Sequence, residues 1–220
     1  QVGDYAGLKK ALLPISRYAR IAIDDVGSGY AGLRHLVDLG HKNFLLIGHD
    51  PASNVQNDRI GGMKSAFGRN IRHTTIWLET LMRERGEGAS LGLIDHVQNG
   101  VTAIAAVSDL HALRVLTELQ TAGIKVPQQV SVTGFDDLIF SPVVTPSLTT
   151  VHMDMARIAE LAIAALVCEI EQAKSTAPTG KTLKRTVNAD ISKVSMELMV
   201  RASSGPAVSP DAPFPTGETL

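Results

Sequence analysis

Residues Gly123 to Asp137 read G-I-K-V-P-Q-Q-V-S-V-T-G-F-D-D, and this stretch decides the fold. Gly123 closes a helical pattern that runs from Leu110 to Thr121, and Pro127 prevents the helix from resuming. Val130 to Phe135 is then an apolar strand that ends in two acids, Asp136 and Asp137. Upstream, Val101 to Val107 is an unbroken apolar strand, followed by Ser108-Asp109 as the start of the next helix. The unit is strand, helix, strand.

The same rhythm extends outward in both directions. Arg20 to Asp24 is a short strand, and Gly29 to Leu39 carries Leu33, Leu36, Val37 and Leu39 at helical spacing before Gly40. Phe44 to Ile47 reads as a buried strand. Arg59 to Phe67 is a helix with Ile60, Met63 and Phe67 on one face, and Ala89 to Gln98 is another. Met155 to Glu171 is a long alanine-rich helix, and Met196 to Val200 is a last strand. Continuous apolar strands alternating with helices predict an α/β fold with parallel sheets covered by helices on both faces.

Composition narrows the function classes. The 220 residues suffice for two lobes, each of about 100 residues. With 44% hydrophobic and 20% charged residues the chain is globular. A net charge of −1 lacks the basic excess of a nucleic-acid-binding domain. A single cysteine, Cys168, excludes an internal disulfide framework. With neither signal peptide nor spanning segment, a cytoplasmic protein with no membrane contact is expected. The segment from 205 to 220, rich in Pro, Gly, Ser and Thr, is expected to be a flexible tail.

In parallel α/β sheets ligands bind beyond the carboxyl ends of the strands. Four such ends carry polar groups: Asp24-Asp25, His49-Asp50, Ser108-Asp109 and Asp136-Asp137. Carboxylates accept from paired hydroxyls and arginine donates to sugar oxygens, so a small polyol suits them. Arg59, about ten residues past a strand end, can reach the same crevice. Structural alternatives stand beside these readings: Asp109 as a helix N-cap, Asp136-Asp137 as a turn, Arg59 as a surface ion pair. Gly27-Ser28-Gly29 reads as a simple turn, since the third glycine of a dinucleotide loop is missing. Gly61-Gly62 suits close helix packing. No zinc-ligand spacing, nucleophile elbow or phosphate loop occurs, so neither catalysis nor a cofactor is expected.

Several stretches together resemble the lactose-repressor/galactose-repressor (LacI/GalR) family of transcriptional regulators. They are His35 to Lys42 (H-L-V-D-L-G-H-K), Arg59-Ile60-Gly61-Gly62, Thr102 to Asp109, Gly123 to Asp137, Pro146 to Val151 (P-S-L-T-T-V) and Leu198 to Ser203. The pairing of G-F-D-D with P-S-L-T-T-V is the most specific of these. The resemblance implies a two-lobed periplasmic-binding-protein-like core of type I, with a small effector between the lobes, commonly a sugar. It carries over Ser53, Arg59, Ser108 and Asp136 as ligand contacts, with Met153 at a lobe-crossing contact position. Two departures stand out: Ser108 where relatives have Asn, and Met153 where they often have a polar residue.

The resemblance also implies an organisation. Residues 1–42 with 151–186 form a truncated N-terminal lobe, and residues 43–150 with 187–204 form a complete C-terminal lobe. Crossings are expected near Gly40 to Asn43, Thr150 to Met153 and Thr186 to Val194. Relatives dimerise through the loop after G-F-D-D and the helix before it, so a homodimer centred on Leu113, Phe140 and Val144 is expected. DNA is expected to be contacted only through an N-terminal segment preceding this chain. Two rivals remain: a solute-binding protein of a sugar transport system, and an enzyme on a related scaffold.

Overall fold

The computed structural model describes residues 25–175 and 196–208. The chain divides into two compact units, residues 24–153 with 196–220, and residues 1–23 with 154–195. Described elements of the first are α1 (Asp25–Asp38), β1 (Asn43–Gly48), α2 (Asn54–Ser65), β2 (Arg72–Trp77), α3 (Leu78–Arg85), α4 (Leu93–Gln98), β3 (Ala103–Ala106), α5 (Asp109–Thr121), β4 (Ser131–Thr133), β5 (Thr150–His152) and, after the second unit's α6 (Met155–Ser175), β6 (Glu197–Met199).

Four strands form one sheet in the order β2-β1-β3-β4, parallel at every junction. Alternate side chains of its central strands enter two different cores. Phe44 and Leu46 of β1, with Ala103 and Ala105 of β3, pack against Leu33 and Leu36 of α1 and Ile60 and Met63 of α2. Leu45, Ile47, Ile104 and Ala106 face the other way, onto Leu93 and Val97 of α4 and Ala112, Val115 and Leu119 of α5. Burial on both faces explains why these strands read as continuous apolar runs. β5 pairs antiparallel with β6, and bridges from Thr149 to Thr133 and from His152 to Asp136 set β5 beside the end of β4.

Several expectations are revised here. Gly27-Ser28-Gly29 is no turn but part of α1. At Gly29 an added Cβ would fall on the backbone carbonyl of Arg59, so α1 and α2 approach too closely for a side chain. That contact does what Gly61 was expected to do, since Gly61 has open space around it. It also places α1 in the same unit as the sheet. The unit boundary therefore falls near residue 24 and not at residues 40–43. Gly40, with φ of +92°, terminates α1.

The helix expected over residues 89–98 begins only at Leu93, because Gly92 before it holds a left-handed conformation, φ 67°. β2 and α3 were not anticipated. The tail begins later than expected: Gly205 accepts from His41 Nε2 at 3.0 Å, and Ala207 N–H donates to Leu39 O at 2.9 Å. Residues 209–220, the strand expected over 20–24 and the crossing expected over 186–194 lie outside the described residues.

Candidate functional site at the carboxyl edge of the sheet

The parallel arrangement brings the loops after β1, β3 and β4 to one edge. Ser53 caps α2 by accepting from Gln56 N–H at 3.5 Å. The Gln56 side-chain Oε1 accepts from His49 N–H at 2.6 Å and from Asp50 N–H at 3.1 Å, which fixes the loop leaving β1. The helix so anchored carries Arg59 at the sheet end.

Arg59 Nη1 donates to Val107 O at 2.8 Å and to Asp136 Oδ1 at 3.1 Å. Its guanidinium lies 3.9 Å from the ring centroid of Phe135, a cation–π contact that holds the charge in place. The pair is mostly screened, with side-chain exposures of 13% for Arg59 and 24% for Asp136. Asp136 has φ 108° and Asp137 has φ 51°, conformations that cost side-chain-bearing residues about 1–3 kcal/mol each. Strain of this kind concentrates at functional sites, which makes Asp136 a candidate.

Ser108 caps α5, accepting from His111 N–H at 3.5 Å, and its Oγ also lies 2.6 Å from His111 Nδ1. The His111 ring stacks on His49, with centroids 5.5 Å apart and planes at 26°. Burial first, then the neighbouring His49 and Arg114, lowers the His111 pKa to about 4. His111 is therefore neutral at pH 7. Met153 stands half-buried one residue beyond the Asp136–His152 bridge.

Among the described residues, the acid after β4, Asp136, presents its carboxylate to this arginine. Asp109 is not the cap but a fully buried acceptor. It takes Ser141 Oγ at 2.5 Å, Thr150 Oγ1 at 2.5 Å and Leu138 N–H at 2.9 Å. Asp137 accepts from Arg201 Nη2 at 2.7 Å and pairs with His152 Nδ1 at 3.0 Å. Asp24 lies outside the described residues, and Asp25 opens α1.

The structure thus joins Arg59 to Asp136 and, through the Val107 carbonyl, to the residue before Ser108. Ser53 orients the arginine's helix. Sequence reasoning missed His111 and also Trp77, the last residue of β2, paired in register with Gly48. An added Cβ at Gly48 would strike the Trp77 ring, so only glycine there lets the indole lie across the end of β1. A lone aromatic closing a strand of mixed polarity was the available signal.

At the expected pairing surface, Ile139 is 93% exposed, Val143 76% and Leu110 61%. Val144 packs partly against the core, and Leu113 and Phe140 are half-buried. No group of three or more metal-ligating side chains is placed to hold an ion among the described residues. None of their helices is long and apolar enough to cross a membrane.

Comparison with known proteins agrees with this architecture. Residues 33–204 match the periplasmic binding protein-like domain. The HTH-type transcriptional regulator DegA of Bacillus subtilis is 35% identical over 145 residues, covering 64% of this chain and 42% of that protein. The HTH-type transcriptional repressor PurR of Glaesserella parasuis is 30% identical over 156 residues, covering 70% of this chain and 46% of the repressor. A LacI-family transcriptional regulator of Enterococcus faecium with bound ribose shares the fold with a TM-score of 0.63 at 18% identity, covering 93% of this chain and 77% of that one. The chain spans about half the length of the curated relatives it matches. On these grounds it belongs to the periplasmic-binding-protein-like domain family, in the form carried by LacI-type transcriptional regulators.

Proposed function

We propose that this chain is the effector-binding and dimerisation core of a cytoplasmic transcriptional regulator, and that its effector is a small sugar-like metabolite. The carrying observation is the Arg59–Asp136 pair, held on Phe135 at a strained strand end. Paired carboxylate and guanidinium offer acceptors and donors together, which is what a vicinal diol requires. Ser53, Ser108 and Met153 border the same edge. No reaction is catalysed. Effector binding shifts a population between two arrangements of the lobes, and so alters how DNA-binding segments outside this chain meet two half-sites.

A homodimer forms through the exposed apolar surface of α5 and the loop after Asp137, around Leu113, Phe140 and Val144. Leu110, Ile139 and Val143 supply its most accessible area. An exposed apolar surface of this kind marks a partner.

Calorimetry of the full-length protein against a panel of pentoses and hexoses tests the reading. Binding of a sugar by the wild type and its loss in Arg59→Ala support it. A sugar that binds equally well to Arg59→Ala removes the assignment. The transport-protein alternative is disfavoured because the matched curated relatives are regulators.

A further inference from the structure

Ser108 stands at the carboxyl end of β3, yet its hydroxyl is already engaged. It accepts from the His111 N–H as a helix cap, and it lies 2.6 Å from His111 Nδ1. A serine hydroxyl has one proton. When that proton lies between Oγ and Nδ1 it is not available to a third group, whereas the opposite tautomer, with Nδ1–H donating to Oγ, leaves it free.

His111 is differently placed. A neutral imidazole has one donor nitrogen and one acceptor nitrogen, and the partner of one fixes the role of the other. With Nδ1 accepting from Ser108, Nε2 carries the proton. Among the described residues Nε2 has no protein partner, and no buried side-chain nitrogen or oxygen is left unsatisfied, so Nε2 opens to solvent. The stacked His49 ring limits rotation of the imidazole plane. The result is an oriented N–H at the same edge as Arg59 and Asp136.

We propose that His111, rather than Ser108, is the side chain by which the β3–α5 junction binds the effector, its Nε2–H donating to a ligand hydroxyl oxygen and Ser108 acting as the positioning residue. This rests on the sugar-site reading above. Burial supports it by keeping the ring neutral well below pH 7, with its pKa lowered to about 4. The two roles differ in kind. His111 touches the ligand, while Ser108 selects the tautomer.

The test uses full-length protein labelled with 15N at histidine, titrated with D-ribose, D-galactose and D-glucose. In the free protein His111 is expected to show a protonated Nε2 and a bare Nδ1, and Ser108→Ala is expected to mix the tautomers. Sugar binding should shift the Nε2 resonance. His111→Phe should weaken binding about tenfold, the loss expected when a ligand acceptor is left unpaired. His111→Gln, which returns an amide N–H near the same point, should recover most of it. A free-protein Nδ1–H tautomer, an unmoved His111 signal on sugar binding, or wild-type affinity in His111→Phe would overturn the proposal while leaving the Arg59 site intact. If none of the three sugars binds the wild type, the sugar-site reading and this proposal fall together.

Discussion

The guanidinium of Arg59 lies 3.9 Å from the ring centroid of Phe135, the residue that directly precedes its ion-pair partner Asp136. One residue therefore supports the cation and the next neutralises it. Asp136→Ala removes the carboxylate while leaving Phe135 to hold the arginine. Loss of a charge-assisted hydrogen bond to ligand should cost about 1.5–3 kcal/mol, or roughly 10- to 150-fold in affinity. Calorimetry with whichever sugar the wild-type full-length protein binds measures it. Unchanged affinity would remove Asp136 from the site.

Asp109 predicts a stability effect instead. Its carboxylate is the common acceptor for Ser141, Thr150 and the Leu138 N–H, tying α5 to the loop after β4 and to β5. Asp109→Ala should destabilise the fold by about 3–5 kcal/mol, since it strands buried donors. Urea unfolding of the two proteins reads this directly, and a change below 1 kcal/mol, on the order of one ordinary hydrogen bond, would refute it.

Acid should weaken this fold through its buried histidines. Burial lowers the pKa of His41 from 6.5, the Gly205 carbonyl opposing and His35 adding to the shift. His111 is lowered to about 4, again first by burial. In both cases the unfolded chain takes up the proton more readily than the folded one. Their contribution is thus fully present above pH 6.5 and is lost as pH falls towards the folded values. The melting temperature should drop between pH 7 and pH 5 by less in a His111→Gln variant than in the wild type. Parallel curves for the two proteins would contradict this.

Dimerisation is best probed at Ile139 and Val143, which are exposed to 93% and 76%. Val144 packs partly on the core, so a charge there would confound assembly with folding. Ile139→Glu with Val143→Glu should convert a full-length dimer into monomer with little change in melting temperature. Sedimentation velocity distinguishes the outcomes. A dimer that persists through both substitutions places the interface elsewhere.

How legible this was in the sequence depended on burial. Ala103–Ala106 and Phe44–Ile47 are buried on both faces, so apolar run and strand coincide. β2 was unreadable because it lies at the sheet edge, and Arg72, His73 and Thr74 are exposed. The turn read at Gly27 to Gly29 failed because the glycine serves a helix–helix contact between residues thirty positions apart, at Arg59. In the candidate site, the resemblance identified Arg59 and Asp136, which the fold joins. Ser108 was also identified, and in the structure its hydroxyl caps α5 and contacts an imidazole. The histidine that contacts this hydroxyl sits three positions along the helix, a relation that depends on the cap being Ser108 and not Asp109, which the sequence left open.

Ser203 has a consequence for the order in which the chain is made. Its carbonyl accepts from Val132 N–H at 2.8 Å, and its Oγ donates to Val132 O at 2.6 Å across 71 residues of sequence. Until Ser203 leaves the ribosome, both main-chain groups of Val132 on the outer side of β4 lack their final partner. At typical bacterial elongation rates that interval is about 4–14 s. An open strand edge is a template for mispairing, so the growing polypeptide passes through a window in which chaperone shelter matters most. Nascent chains arrested just before and well beyond this serine should differ in protease cleavage near Val132, and equal cleavage would show that the edge is protected some other way.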